Sequence, residues 1–516
     1  DDYTNNIIDV IVPVFNGYQY FDKLFGSMLK TKMKFNLIII NDKSTDNNVQ
    51  PYLNRLKDKF TNVRLIENQT NLGFVKSVNS ALRITKNHVV IVNTDVEFPD
   101  QWLERLMLPI LKNKKIASVT PFTNAGTICS FPQMGIDNQI FAGLTVDEVD
   151  QAFRKIKPVY NEIPTGVGFC MAMNKGALSE VGLLDEDNFS LGYGEENDWC
   201  QRAIKKGYKN VMVENLFVYH KHGGSFSSEQ KLRLIERNAK LLSQKHPNYN
   251  SDVADFFSKD PAKNFREFAI MILSTKVATK KPALFFNHEI GGGATSYLDM
   301  QVSKMISENN IVIVISYDNQ AGFYLLNYLF QDYTFKYRFP SLYNLLPILN
   351  YFGVGEIFIN ELVTYPEIYK VLKFIKELKL TFDAKLVMLL HDYFSICPTV
   401  NLVNDKDVYC NIPEYTYCNN CLRYNIRKQY LEYGTIKDWR DNWKNFLLQC
   451  DEIRTFSKSS DHILRKVFGD MDNITVIPHQ VNYVVPINKR IKTTNSLNIG
   501  LLGILTANKG LYIIES

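Results

Sequence analysis

The sequence predicts an α/β layer fold with mainly parallel sheets, and two observations carry that expectation. Short apolar runs of strand length alternate with stretches of helical spacing along most of the chain, the pattern of a parallel sheet covered by helices. Polar turns rich in Asn and Asp stand at the ends of several apolar runs, where an open α/β sheet receives its ligands. At 516 residues the chain is long enough for roughly two to four domains. With 45% hydrophobic and 22% charged residues it is not a disordered chain. A net charge of +5 over this length calls for no nucleic-acid partner and supports only weak attraction to an anionic surface. No apolar run approaches the ~18 residues of a transmembrane helix, and no signal peptide opens the chain. Eight cysteines are too sparse for a disulfide scaffold and fit a reducing compartment. A cytoplasmic location follows, with peripheral attachment at the inner face of the membrane left open.

Taken in order, Ile7–Val14, Phe35–Ile40, Val63–Ile66 and Val89–Val92 read as strands. Helical spacing lies between them, as in Tyr20, Leu24, Met28 and Leu29. A charged helix from Ser228 to His246, with Leu232, Ile235, Ala239 and Leu242 on its apolar stripe, closes a first domain at residues 1–246. Residues 247–281 read as a helical linker ending in the basic stretch Lys276–Lys281. A second α/β domain, 282–490, opens on Ala283-Leu284-Phe285-Phe286 and continues through Ile311–Ile315, Ile357–Ile359, Leu386–Leu390, Glu452–Phe456 and Ile474–Ile477. Residues 491–516, with the strand Leu497–Leu502 and the loop Ala507-Asn508-Lys509-Gly510, are expected to begin a further domain. Because the chain starts at Asp1 rather than Met and stops soon after that loop, it reads as a piece of a longer protein.

Four polar segments in the first domain leave strand ends. They are Val12-Pro13-Val14-Phe15-Asn16, Asn41-Asp42-Lys43-Ser44-Thr45-Asp46, Asn71-Leu72-Gly73-Phe74 followed by Lys76 and Asn79, and Asn93-Thr94-Asp95-Val96-Glu97. Two carboxylates spaced Asp-x-Glu point to the same side of an extended backbone. Hard oxygen ligands of this kind suit Mg²⁺ or Mn²⁺ bridging a diphosphate. Taken alone, the same pair is a solvated turn; four such features in order change that weighting.

In this order the segments resemble the family 2 glycosyltransferases of the GT-A fold. The likeness continues through Thr165-Gly166-Val167-Gly168-Phe169-Cys170, Val181-Gly182-Leu183-Leu184-Asp185-Glu186, the run Tyr193 to Arg202 (Tyr-Gly-Glu-Glu-Asn-Asp-Trp-Cys-Gln-Arg) and Val218 to Phe226. The resemblance implies that Pro13, Val14, Phe15, Asn16 and Asp42 line a nucleoside pocket, with Phe15 against the base and Asp42 accepting from a pyrimidine N–H. Asn71, Gly73 and Lys76 would lie near the diphosphate and ribose. Asp95 and Glu97 fall at the family's Asp-x-Asp position, the second acid being one methylene longer here. His220 matches the histidine that completes the metal site, with His222 as its competitor. Glu196 aligns with the catalytic base of an inverting transfer, and Glu195 and Asp198 are neighbours that orient it or contact the acceptor. Crowded acids raise one another's pKa, which helps a base near neutrality. The same acids also suit a helix N-terminus, and both roles can hold together.

The second domain carries Asn287-His288-Glu289-Ile290-Gly291-Gly292-Gly293-Ala294 after a strand. Later come His391-Asp392-Tyr393-Phe394, Thr455-Phe456-Ser457, Val476-Ile477-Pro478-His479, Gly500-Leu501-Leu502-Gly503 and Lys509-Gly510. This series resembles the Rossmann-like N-terminal half of GT-B transferases of family 4, with the opening of a C-terminal half. The donor site of that family lies mainly in the C-terminal half, so this domain is expected to be inactive by itself. Cys397, Cys410, Cys418 and Cys421 fall in one loop, where four thiolates could close a structural Zn²⁺; buried thiols or a disulfide are the alternatives. Together these features point to a transferase that takes a UDP- or dTDP-sugar, with Mn²⁺ or Mg²⁺, to a glycan, lipid-linked or glycoprotein acceptor in bacterial surface polysaccharide or glycoprotein assembly. A nucleotidyltransferase would need a Gly-rich basic loop that Pro13–Asn16 lacks. A non-catalytic glycan- or nucleotide-binding scaffold is the alternative from another class.

Overall fold

A computed structural model describes residues 3–157, 159–189, 192–221, 228–426, 428 and 434–479. The chain divides into two compact units, Asp1–Leu273 and Ser274 onward. His222 and the 491–516 segment, with the expected strand Leu497–Leu502, lie outside the described residues.

In unit 1 the strands are β1 (Ile7–Val14), β2 (Lys34–Asn41), β3 (Val63–Glu67), β4 (His88–Val92), β5 (Val96–Glu97), β6 (Ile116–Phe122), β7 (Tyr160–Glu162), β8 (Cys170–Met173), β9 (Lys209–Phe217) and β10 (Tyr219–His220). Eight of them form one sheet in the order β3-β2-β1-β4-β8-β6-β9-β7. The pairs β1·β2, β2·β3, β1·β4 and β6·β9 are parallel, while β8 runs antiparallel to β4 and β6. Continuous Val/Ile runs in β1, β2 and β4 match their burial on both faces, as a helix-covered parallel sheet requires. One core joins Ile11, Ile38, Ile40, Val75, Val78 and Met171 to Trp199. Trp199 Nε1 donates to the Gly182 carbonyl at 2.8 Å, locking the helix Glu195–Lys205 onto this core. The chain runs outward from β1 to β3, then returns to β4 on the other side of β1. The carboxyl ends of β1 and β4 therefore flank a topological switch point, the crevice where open α/β sheets bind ligands.

Two expectations for this unit change. Of the stripe expected on the helix Ser228–Lys245, only Leu242 is buried, while Leu232 is 66% and Ile235 39% exposed. The helix is held instead by buried Asn238, which donates to the carbonyls of Gly192 and Tyr193 at 2.8 Å each. The segment 247–281 is helical over Tyr249–Lys259 and Lys263–Val277, but its Phe265 stacks on Phe122 of β6 at 5.7 Å, so that part packs on the domain.

Unit 2 contains β11 (Ala283–Phe286), β12 (Val312–Asp318), β13 (Phe323–Phe330), β14 (Tyr333–Phe339), β15 (Glu356–Ile359), β16 (Lys385–Leu390), β17 (Glu452–Thr455) and β18 (Ile474–Val476). They form a sheet in the order β14-β13-β12-β11-β15-β16-β17-β18, parallel from β12 to β18. The β13–β14 hairpin, turned at Gln331 with φ 49°, extends one edge in antiparallel sense. It was not among the expected strands, although Tyr333 to Phe339 alternates with the period of two that a half-exposed strand shows. Among the described residues no helix is long and apolar enough to cross a membrane.

Candidate active site

The loops at the switch point of unit 1 are tied to one another by side chains. Asn16, in a left-handed turn (φ 59°), accepts at Oδ1 from the amides of Thr45 and Asp46 (2.9 and 3.0 Å). Its own amide donates to Ser44 Oγ, clipping the first loop to the second. Asp42 is buried; its Oδ1 accepts from Asn68 Nδ2 and the Leu72 amide, and its Oδ2 from the Gly73 amide at 2.9 Å. Asp42 thus anchors the third loop, and Oδ2 keeps acceptor capacity for one further donor. Gly73 caps the helix Phe74–Leu82 at φ 83°, a backbone that favours glycine. Pro13, Phe15 and Asn16 are half-buried at the end of β1, while Asn71 and Lys76 are exposed. Val14 is fully buried and belongs to the core rather than to a pocket wall, because alternate residues of β1 face opposite sides of the sheet.

Asp95 and His220 meet through the small antiparallel ladder of β5 and β10. His220 Nε2 lies 3.4 Å from Asp95 Oδ1. Its Nδ1 lies 2.8 Å from the Ala125 carbonyl, which sets that nitrogen as the donor and Nε2 as the one that faces Asp95. The ring stacks on Phe169 at 5.0 Å, and Asn124 brackets the His220 backbone with two hydrogen bonds. Glu97 does not join them. In the ladder it sits opposite Tyr219, whereas His220 sits opposite Val96, so the two side chains leave opposite faces. Glu97 Oε2 instead lies 3.5 Å from Lys23 Nζ. Among the described residues no set of three or more His, Cys, Asp or Glu is arranged to hold a metal ion. Asp95 and His220 nevertheless fit an Mg²⁺- or Mn²⁺-type ion, which keeps waters and binds through one or two protein groups plus substrate phosphates.

Glu195 and Glu196 begin the helix Glu195–Lys205 behind Gly194, whose φ of 122° and 3.0 Å approach to the Phe189 ring exclude a side chain. Burial raises both carboxyls. Glu195 is held well above the usual range because the Glu196 charge and a hydrogen bond between the two acids add to burial. Glu196 is raised less, since backbone hydrogen bonds and the one from Glu195 favour its ionised form. The pair therefore reads as a neutral Glu195 donating to a Glu196 carboxylate. Glu195 Oε2 and Glu196 Oε2 are each buried without a hydrogen-bond partner. Gly168 lies against the Glu196 carboxyl, where a Cβ would come within 3.8 Å. The Tyr193 phenol is raised by burial and then by the charges of Glu195, Glu196 and Asp95, so all three acids act on one phenol.

Asp198, the third acid of the run, has no exposed surface. It pairs with Arg202 Nε (2.8 Å), Lys245 Nζ (2.9 Å) and His246 Nε2 (2.8 Å). Burial would raise its carboxyl, and these hydrogen bonds outweigh burial and hold it below the usual range. Asp198 is thus a positioning residue that fixes the helix, with no part exposed to an acceptor. Sequence reasoning gave no role to Asn68, Asn124, Tyr193, His246 or Tyr249. Tyr249 is held near Glu196, with a hydrogen bond to Thr165, and its phenol is raised by burial and by the Glu196 charge. Only the spacing of Asp198 and Arg202 (i, i+4 on a helix) offered a local signal for this network.

Among the described residues Cys397, Cys410, Cys418 and Cys421 are not arranged as a metal-holding set. Cys418 Sγ contacts the Pro413 carbonyl and Arg440 Nη2, Cys397 Sγ contacts Thr399 Oγ1, and Cys421 Sγ accepts from Asn425. All eight cysteines are free thiols.

Because the fold holds Glu195 protonated at a pH where the unfolded chain would ionise it, Glu195→Gln is expected to raise Tm at neutral pH. A group whose folded pKa is raised destabilises increasingly as pH climbs above its unfolded value of about 4.5. The gain in Tm should therefore vanish below that pH, which thermal melts across roughly pH 3–8, the span of carboxyl titration, would show.

Residues 9–182 match the family described as Glycosyl transferase family 2. An uncharacterized glycosyltransferase of Haemophilus influenzae is 24% identical over 231 residues, covering 43% of this chain and 68% of that protein. Two solved structures are similar at low TM-score. The mannosyltransferase PcManGT from Pyrobaculum calidifontis, in complex with GDP-Man and Mn²⁺, has a TM-score of 0.36 and 13% identity over 59% of this chain and 81% of that one. GalNAc-T7 with UDP, GalNAc and Mn²⁺ has a TM-score of 0.35 and 15% identity over 64% and 70%. The chain is a glycosyltransferase. Its residues 9–182, which carry the switch-point loops and the Asp95 turn, are a family 2 domain.

Proposed function

We propose that unit 1 is a GT-A-type, inverting, metal-dependent transferase. It would move a sugar from a UDP- or dTDP-sugar to a hydroxyl of a glycan, lipid-linked or protein-linked acceptor in bacterial surface polysaccharide or glycoprotein assembly. The observations that carry this reading are the grouping of Asp95 and the Glu195–Glu196 pair around the Tyr193 phenol and the approach of His220 to Asp95. There Glu196 takes the proton of the acceptor hydroxyl while the hydroxyl oxygen attacks the anomeric carbon, and the bond from that carbon to the diphosphate breaks on the opposite face. Glu195 keeps its own proton and holds the Glu196 carboxylate in place. Asp95 and His220 would hold the divalent ion, which supplies charge neutralisation for the departing diphosphate. Pro13, Phe15, Asn16, Asp42, Asn71, Gly73 and Lys76 would bind the nucleotide.

Nucleotide binding with and without Mn²⁺, followed by UDP or dTDP release from a panel of sugar nucleotides, tests this reading. Loss of all metal dependence would remove it. Glu97→Gln separates the Asp-x-Glu expectation from the observed geometry. Because Glu97 faces Lys23 at the surface, its substitution should change Mn²⁺-dependent nucleotide affinity by less than about fivefold; a larger drop would make Glu97 a ligand.

We read unit 2 as the Rossmann-like half of a GT-B-type transferase. Its parallel sheet and the glycine turn Gly291–Gly292 before the helix Gly293–Ser307 support this. By this reading it supplies no complete donor site of its own.

A further inference from the structure

The helix Tyr415–Tyr424 of unit 2 carries Cys418 at the end of its first turn and Cys421 three residues further on. Residues three apart on an α-helix have Cα atoms about 5 Å from one another. That lies inside the roughly 4.4–6.8 Å that a disulfide spans. Cys418 is buried, with its Sγ 3.5 Å from the Pro413 carbonyl and 3.8 Å from Arg440 Nη2. Cys421 is half-buried, and Asn425 Nδ2 donates to its Sγ at 3.7 Å. Arg440 is itself buried; its Nε donates to the Ile396 carbonyl at 3.1 Å, and its guanidinium lies 5.5 Å from the centre of the Tyr415 ring. Among the described residues its contacts are thus a thiol, a carbonyl and a ring, with no carboxylate. A cation so placed favours the thiolate form of its neighbour. Pro413 and Arg440, the two contacts of Cys418, also line a cavity of about 370 Å³ together with Glu414, Tyr415 and Thr416.

Cys397 and Cys410 share this loop, and Cys397 Sγ is engaged by Thr399 Oγ1 at 3.3 Å. Of the four thiols, only Cys418 and Cys421 have their spacing set by one helical turn. Burial raises the Cys418 thiol while the Arg440 guanidinium opposes it, and Cys421 is the more accessible of the two. We propose that Cys418 and Cys421 form a reversible dithiol–disulfide site that reacts with a low-molecular-weight disulfide. The Cys421 thiolate attacks one sulfur of the small disulfide, giving a mixed disulfide and releasing one small thiolate. Cys418, as its thiolate beside Arg440, then attacks the Cys421 sulfur and displaces the second small thiolate. The two protons given up by the cysteines end on the two small thiols, so two electrons pass from the protein dithiol to the small disulfide. Excess small thiol runs the same steps backwards. This site depends on neither unit's reading as a transferase.

Glutathione redox buffers test the proposal on the full chain, first reduced and then freed of reductant. As the share of glutathione disulfide rises, two of the eight thiols should be lost. The peptide that holds residues 418–421 should become lighter by two hydrogens, and dithiothreitol should restore both thiols. Cys421→Ser should form no internal disulfide. Cys418→Ser should keep one glutathione on Cys421, because no second thiol is there to displace it. Thermal melts of the two variants check that they fold, and peptide mapping of the unaltered protein stands without them. The proposal is overturned if all eight thiols survive glutathione disulfide, or if the bridge joins another pair such as Cys397 and Cys410. It is equally overturned if the glutathione adduct of the unaltered protein never closes, or if the purified chain carries zinc that must be removed before any of these thiols reacts.

Discussion

Glu196→Gln is expected to cut turnover by about 10²–10⁴-fold while leaving nucleotide binding intact, the loss typical of removing a general base. The substitution is isosteric, and the amide still fits against Gly168 and beside Glu195, so what disappears is the ability to take a proton. The raised carboxyls of the pair also set a pH signature. In the unaltered protein kcat/KM should rise with pH along an acid limb lying above the usual glutamate range, because Glu196 must be ionised to act. Glu195→Gln should keep that limb and much of the rate, since an amide at that position still donates to Glu196. Steady-state kinetics of the two variants, with calorimetric binding of UDP or dTDP as the control, decide the matter. If Glu195→Gln is the inactive one and Glu196→Gln retains its rate, the roles are reversed. If both keep full rate, the base lies elsewhere.

The division between what was readable in advance and what was not follows from the range of the interactions concerned. Runs such as Ile7–Val14 and His88–Val92 state their own burial, because a strand covered on both faces has apolar side chains at nearly every position. Asp95, Glu195, Glu196 and His220 drew notice because each stands in a short motif, Asp95 in a turn, the two glutamates at a helix start and His220 in β10. Roles set by distant partners were not. Glu97 looks equivalent to Asp95 in an extended strand, but Asp95 lies in the turn before β5 while Glu97 lies within it, and register against Tyr219 sends it away from His220. Asp198 looks like a third acid of the site until Lys245 and His246, at the end of the helix Ser228–Lys245, close around it. The stripe of Leu232 and Ile235 failed for a related reason. A buried amide, Asn238, ties that helix to the Gly192 and Tyr193 carbonyls, while Leu232 and Ile235 stay exposed. In unit 2 the cysteines drew notice by their spacing.

Asp95→Ala is expected to abolish the Mn²⁺-dependent part of nucleotide affinity and to lower turnover by about 10³-fold, the equivalent of several kcal/mol of charge stabilisation. The substitution removes one of the two groups that meet at the β5–β10 ladder and leaves His220 held by Ala125 and Phe169. His220→Ala should weaken metal dependence less, because a carboxylate is a harder ligand for Mg²⁺ or Mn²⁺ than an imidazole and also carries charge. The fold should survive Asp95→Ala, as Asp95 is only half-buried and the backbone bond from the Lys221 amide to the Asp95 carbonyl does not involve its side chain. Calorimetry of UDP binding with and without Mn²⁺ provides the measurement, with a thermal melt to confirm folding. Unchanged metal-dependent affinity in Asp95→Ala would remove Asp95 from the metal site. Loss of metal dependence together with retained metal-independent binding would tie Asp95 to the ion alone, and leave the nucleoside contacts to the loops that Asn16 and Asp42 clip together.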